Sequence, residues 1–379
     1  MEAAKNEEGK EWAAVASAPE RTNGHYNLQN VSTYDMMVVT HILTAGDKLS
    51  PYCGSLLTSN ASVYSLTFLF AHFAPPFLPW HRYFVLKFES ELRRIGERIG
   101  ISDFTLPYWD WTPTSTCQLF TDNMFGTPET NENLVNVSGT LFENGKWPVV
   151  CDLMYRIEVK TKALIEYFNP EKCAQVRTVC DVIGDRMANH PLQRGAWRDS
   201  ERNLRIPDYK LVAMSLTPNQ YDGNLGFESR VEVYVNQCAS ETVKCMNYEV
   251  GSLNMHGLVH AYLGGHMSVG GPSANDPVFF LHHSNVDRIY ERWLQKYNGT
   301  PPSYHPISGG PPGHNLNDYI VPMFPLKKIA DFYKESKELG YIYDEMPWDI
   351  PSTDYQEGCP SEQCERGGYP PTVLSLIHI

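Results

Sequence analysis

What this chain lacks narrows its chemistry before any motif is read. Basic charge is scarce: 31 Lys and Arg stand against 44 Asp and Glu, a formal net charge of −13. No basic stripe relieves that balance, which argues against nucleic acid or an anionic membrane as partner, because both need clustered cations. None of the nine cysteines forms a CxxC pair, so zinc-ribbon chemistry is not indicated. The opening residues, MEAAKNEEGKEW, hold no apolar stretch of the kind a signal peptide needs. Repeats of solenoid type are absent as well. One charge-free run, ASVYSLTFLFAHFAPPFLPW (61–80), reaches membrane-spanning length. Its Pro75, Pro76, Pro79 and internal His72 fit lipid poorly, and a buried core segment is the expectation.

What remains is a globular composition, 42% hydrophobic and 20% charged, with 22 Tyr, 16 Phe and 8 Trp. The 379 residues suffice for a large core in one domain or for two or three smaller ones. Two features lean towards secretion. Cysteines recur at short spacing (Cys173/Cys180, Cys238/Cys245, Cys359/Cys364), and Asn-x-Ser/Thr sequons start at Asn30, Asn60, Asn136 and Asn298. An odd cysteine count and the missing leader weigh the other way.

Residues 1–30 read as an irregular lead-in, 31–345 as the working domain, and 346–379 as a Pro-, Gly- and Cys-rich tail. A helix is expected from Pro79, with Phe84, Val85, Phe88 and Leu92 at helical spacing and Gly at its end. TLPYWDWTPTS (105–115) reads as an aromatic loop, and VEVYVN (231–236) alternates like a strand. SLNMHGLVHAYL (252–263) forms a second helix stopped by Gly264-Gly265. A third follows Asp276 as N-cap and Pro277 at the first helical position.

Histidines punctuate these helices. His256 and His260 stand four apart and project from one helix face. Alone such a pair is a weak signal. His283 on the next helix strengthens it, with Asp287 four residues on as a carboxylate near the ligand or as a salt-bridge partner. His282 points about 100° away and is not expected to share that metal readily. His72 and His81 make a second cluster around the Pro-Pro kink. With no Cys, Asp or Glu interleaved, imidazole donors among aromatic residues favour copper over calcium, magnesium or thiolate-bound zinc.

FLPWHRYF, LPYWDW and HGLVH…DPVFFLHHSNVDR together resemble the two copper signatures of the tyrosinase and catechol oxidase family of type-3 copper proteins, in a fungal-like form. Tyr34-Asp35 and Tyr341-Ile342-Tyr343 resemble the landmarks at either end of its catalytic domain. The resemblance implies a mainly α fold: a four-helix bundle holding a dinuclear copper centre, with long irregular loops and few short strands. It implies two coppers per chain and oxidation of o-diphenols or related o-aminophenols to o-quinones with O2, the partners being a small phenol and oxygen. His256, His260 and His283 then hold one copper, and His72 and His81 the other. The position eight residues before His72, where microbial members place the remaining ligand, is Tyr64. YDMMVVTHI (34–42) resembles the ligand-bearing segment and nominates His41, with an extra stretch at about 45–68.

Other departures follow from the same resemblance. Phe70 stands where fungal members carry a thioether cysteine, leaving Cys53 as an open question. Gly257 stands where strong monophenol hydroxylases often carry a water-fixing Asn, and Glu249 is the nearest carboxylate for such a water. These features favour diphenol oxidation over monophenol hydroxylation. Three alternatives stay open: a tyrosinase with strong monophenolase activity, a non-catalytic oxygen-binding type-3 copper protein, and a zinc hydrolase. The last lacks the Glu of HExxH, since the segment here is HGLVH. His25, His190, His266, His305, His314 and His378 are not expected to bind copper.

Overall fold

A computed structural model describes residues 32–44, 71–112, 119–128, 135–138, 192–194, 206–221, 252–346 and 374–378, with gaps of one or two residues, and the isolated positions 142, 147 and 149. All nine cysteines, Glu249, Phe70, the 45–68 stretch and the segment 231–236 lie outside the described residues.

Helices dominate what is described. They are α1 (Thr33–Thr44), α2 (Phe77–Arg98), a short α3 (Tyr209–Ser215), α4 (Ser252–Leu263) and α5 (Val278–Gln295). No helix among the described residues is long and apolar enough to cross a membrane.

The α2 helix starts two residues before the expected Pro79. The reason is local: the first four N–H groups of a helix have no intrahelical partner, so a proline at the third position costs no hydrogen bond. Trp80 N–H donates to the Pro76 carbonyl at 2.7 Å, closing that first turn. Along the solvent side, Arg93 pairs with Glu89 and Arg94 with Glu91 at 3.2 and 2.9 Å. The α4 helix has the expected bounds, and Gly264 and Gly265, at φ +61° and +51°, end it. The α5 helix begins one residue later than expected, yet Asp276 still caps it, its Oδ1 accepting from the Val278 N–H at 3.1 Å.

Packing then fixes the helices relative to one another. Phe88 of α2 stacks on Phe280 of α5 with ring centroids 3.5 Å apart and 11° between planes. Aromatic pairs of this kind add about 0.5–1.5 kcal/mol beyond the area they bury. A buried charge cluster lies along the same seam. Arg82 donates to Asp287 at 2.5 Å and to Glu291 at 3.1 Å, and its guanidinium covers the Tyr290 ring at 4.4 Å. The α1 helix docks on the 3-10 turn Gly271–Asn275 that leads into α5, where Tyr34 Oη donates to the Ala274 carbonyl at 2.9 Å.

Strands are short and peripheral. β1 (Pro107–Tyr108), β8 (Leu374–His378) and β7 (Tyr341–Tyr343) form an antiparallel sheet in that order, with Pro107 opposite Ser375 and Tyr341 opposite His378. β2 (Thr127–Pro128), β3 (Val135–Ser138) and β4 (Gln193–Arg194) form a second sheet, and β5 (Tyr319–Ile320) pairs with β6 (Lys327–Lys328). One expectation is corrected here. The 105–115 stretch is partly a strand, because Pro107 and Tyr108 pair with Ser375 and Leu374, while Trp109 N–H donates to the Leu281 carbonyl at 3.0 Å and ties the segment to α5. Residues 374–378, within the expected tail, pair between β1 and β7.

Candidate metal centre

Four helices and one turn deliver seven histidines to one buried region. His41 comes from the last turn of α1, His72 from the bend before α2, and His81 from the second turn of α2. His256 and His260 project from α4, and His282 and His283 from α5. They fall into two groups: His41, His72 and His81, and His256, His260, His282 and His283, each with a donor atom per residue within 4.8 Å of the others. The five histidines of the expected motifs are therefore brought together, and His41 joins them as nominated.

Ring orientation is set by the main chain. Nδ1 of His41 lies 2.9 Å from the Gly271 carbonyl, Nδ1 of His81 lies 2.8 Å from that of Phe77, and Nδ1 of His260 lies 2.6 Å from that of Met267. A carbonyl only accepts, so Nδ1 carries the proton and Nε2 keeps its lone pair for the site. Among the described residues, Nε2 of His41 and of His81 are buried without a hydrogen-bond partner. In the second group, Nε2 of His283 sits 3.2 Å from Nε2 of His256 and 3.4 Å from Nε2 of His260. Nitrogens this close are satisfied either by a proton shared between them or by a cation among them, and a cation would engage all three at once. Two imidazole nitrogens bound tetrahedrally to one ion, each about 2.0–2.1 Å from it, stand about 3.3 Å apart. The observed separations match that figure, and the donors are neutral nitrogen without thiolate or carboxylate, which suits copper among the available ions.

Electrostatics keeps the donors unprotonated. Burial pushes His41 down to about 3 and His260 to about 4, while the Gly271 and Met267 carbonyls pull the other way. Burial likewise holds His72, His81, His256 and His283 well below the ordinary imidazole value, with neighbouring histidines adding to the effect. A metal therefore meets little competition from protons at neutral pH.

Aromatic walls close the region. Phe279 lies 4.1 Å from the His283 ring and 4.7 Å from that of His41; Phe77 lies 4.6 Å from His81 and 4.8 Å from His256. The His81 and His283 rings stack across the two groups at 4.3 Å. His256 and His260 keep part of their surface open, and Gly257 beside them is exposed, so the region opens along α4.

The structure decides between the alternatives left open for individual residues. Asp287 is the salt-bridge partner, not a carboxylate beside His283. Its carboxylate takes Arg82 and the hydroxyls of Tyr341 and Tyr343, at 2.6 and 2.5 Å. His266, not expected to bind copper, is buried, and its Nδ1 accepts from the Gln193 N–H at 3.0 Å. His282 was expected to face elsewhere, yet it belongs to the second group, because α4 lies between the directions of His282 and His283 and meets both.

Comparison with known proteins agrees with this geometry. Residues 31–296 match the family described as the common central domain of tyrosinase. The chain belongs to the tyrosinase family. Tyrosinase of Gallus gallus is 31% identical over 352 residues, which cover 90% of this chain and 59% of that protein. The 5,6-dihydroxyindole-2-carboxylic acid oxidase of Carassius auratus is 25% identical over 85% of this chain and 56% of its own length. The chain thus spans less than two thirds of these curated relatives. A solved tyrosinase of Burkholderia thailandensis aligns at 17% identity and a TM-score of 0.41, over 85% of this chain and 72% of its own. Members of the family are copper-dependent oxidoreductases, and the two histidine groups are compatible with a dinuclear site.

Proposed function

We propose that this chain is a dinuclear copper oxidase that converts o-diphenols, or related o-aminophenols, to o-quinones with O2. His41, His72 and His81 hold one copper, and His256, His260 and His283 hold the other. The observation that carries this reading is the pair of imidazole groups, with Nε2 atoms of the second group 3.2 and 3.4 Å apart and three rings anchored through Nδ1. When bound, the copper pair supplies oxygen activation and accepts the electrons of the phenol.

The chain's own residues do the rest. Main-chain carbonyls fix the tautomer of His41, His81 and His260, and burial keeps those rings neutral. Phe77 and Phe279 exclude water from the inner face. A planar phenol enters from the open side along α4, past Gly257, and stacks on the partly open His256 or His260 ring.

The preference for diphenols rests on Gly257, which brings no side chain to hold a water that could take the proton of a monophenol. The relative named for a dihydroxyindole carboxylic acid supports the o-dihydroxy class. The relatives named tyrosinase favour the second reading, an enzyme that also hydroxylates monophenols efficiently. Copper loading without oxygen, followed by aerobic assays on a monophenol and its catechol, decides between them. Quinone formation from the catechol, with a slow and lagging monophenol reaction, is expected. A lag-free monophenol rate comparable to the catechol rate would establish the second reading, and oxygen binding without turnover would exclude both.

A further inference from the structure

The seventh histidine of the centre has no part in the scheme above. His282 is fully buried, and neither ring nitrogen makes a hydrogen bond of normal geometry within the described residues. At His41, His81 and His260 a carbonyl holds one nitrogen and the other is left for a ligand, whereas at His282 both nitrogens are left. A residue needed only to fill space would be apolar here, because an unpaired buried polar group costs about 1–3 kcal/mol.

The surroundings aim the ring at the metal position. Its centroid is 5.2 Å from His256, with planes 12° apart, 4.9 Å from His260 and 5.0 Å from His283. Trp111 backs it at 4.8 Å, on a segment tied to α5 by the bond from Trp109 N–H to the Leu281 carbonyl. The ring is thus pressed towards α4 from behind. Its donor atom lies within 4.8 Å of those of His256, His260 and His283.

We propose that the second metal position is built from two overlapping imidazole triads, His256–His260–His283 and His256–His260–His282. His282 would complete the ligand set whenever His283 is not coordinated, during uptake as well as in the loaded site. A neutral four-nitrogen set is one that copper accepts in both arrangements. This rests on the reading of the centre as dinuclear copper, and it extends the ligand set beyond the six histidines of that reading.

The test uses the full chain, loaded with copper(I) without oxygen, and reads copper per chain and competition against a chromophoric copper(I) chelator. Three variants are compared: His283→Gln, His282→Gln and the double variant, each checked for folding by circular dichroism and thermal melting. If the triads overlap, His283→Gln keeps two coppers, with the second bound about 10- to 100-fold more weakly, a loss on the scale of a damaged ligand shell. The double variant falls to one copper. His282→Gln keeps two but takes up the second more slowly in stopped-flow mixing. Equal copper content and affinity in His283→Gln and the double variant, both folded, would overturn the proposal. So would unchanged uptake in His282→Gln, a variant that keeps all six expected ligands if His283→Gln proves unable to fold. Fewer than two coppers in the unsubstituted chain would overturn the dinuclear reading itself, an outcome distinct from either.

Discussion

Removing the guanidinium of Arg82 is expected to be among the most damaging single changes outside the histidines. Arg82 follows His81 on α2, and Asp287 lies four residues after His283 on α5, so their ion pair clamps the two metal-bearing helices together. The side chains are 0% and 6% exposed for Arg82 and Asp287, and Glu291, the second carboxylate, is 1% exposed. Arg82 also donates to the Lys334 carbonyl at 2.6 Å. Breaking a buried pair by deleting one partner costs about 3–5 kcal/mol, because the other charge is left without compensation. Asp287 would retain the Tyr341 and Tyr343 hydroxyls, and Glu291 the Ser336 N–H at 2.7 Å, so the lower end applies. Arg82→Met is therefore expected to lose about 3 kcal/mol, or roughly 4–5 °C in melting temperature for a domain of this size. Urea unfolding followed by tryptophan fluorescence measures it. Adding Asp287→Leu should recover at least about 1 kcal/mol relative to the sum of the single changes, as expected for residues in contact. A loss below about 1 kcal/mol in Arg82→Met, or strict additivity in the cycle, would refute the clamp.

Three further substitutions separate backbone geometry from site chemistry. At Gly265, φ is +51° and an added Cβ would stand 2.0 Å from the Gln193 carbonyl oxygen. Gly265→Ala is thus expected to cost more than about 3 kcal/mol in a thermal melt, against about 1–2 kcal/mol for Gly340→Ala, where φ is +89° but no atom lies within 4 Å. Comparable melts for the two variants would remove the steric argument. At Gly257 an added Cβ meets nothing within 4 Å and the position is exposed, so Gly257→Asn should fold normally. It is expected to raise the monophenol-to-catechol rate ratio about tenfold in parallel oxygen-uptake assays, below the roughly hundredfold floor for a positioned proton acceptor because the Asn only holds the water; an unchanged ratio would show that Gly257 does not limit hydroxylation.

The α4 and α5 signals were the most legible, because four-residue spacing, a double-glycine stop and an Asp-Pro start each have a direct structural consequence. Five metal-site histidines followed from those helices and from the Pro-Pro kink. His41 required the family resemblance, since nothing in TYDMMVVTHILT by itself marks a ligand. For Asp287 the sequence left a salt bridge and a place beside His283 both open, and the salt bridge is what forms. Its partners could not be read locally, because Arg82, Tyr341 and Tyr343 lie 205, 54 and 56 residues away in sequence. His282 was misjudged because a 100° rotation excludes a shared ligand only when the facing element is narrow. Here α4 presents two imidazoles broad enough to meet both directions. The strand at 107–108 was hidden as well, because pairing partners far along the chain leave no local pattern in two residues.

Copper content of the purified chain is the most direct measurement of the central claim. Equilibrated with excess copper(I) and desalted, the chain should carry two coppers and turn over a catechol. His41→Gln should retain the copper of the α4 and α5 group, lose the other, and oxidise no catechol. One copper in the unsubstituted chain, or two coppers with undiminished turnover in His41→Gln, would contradict a dinuclear centre built on these six histidines.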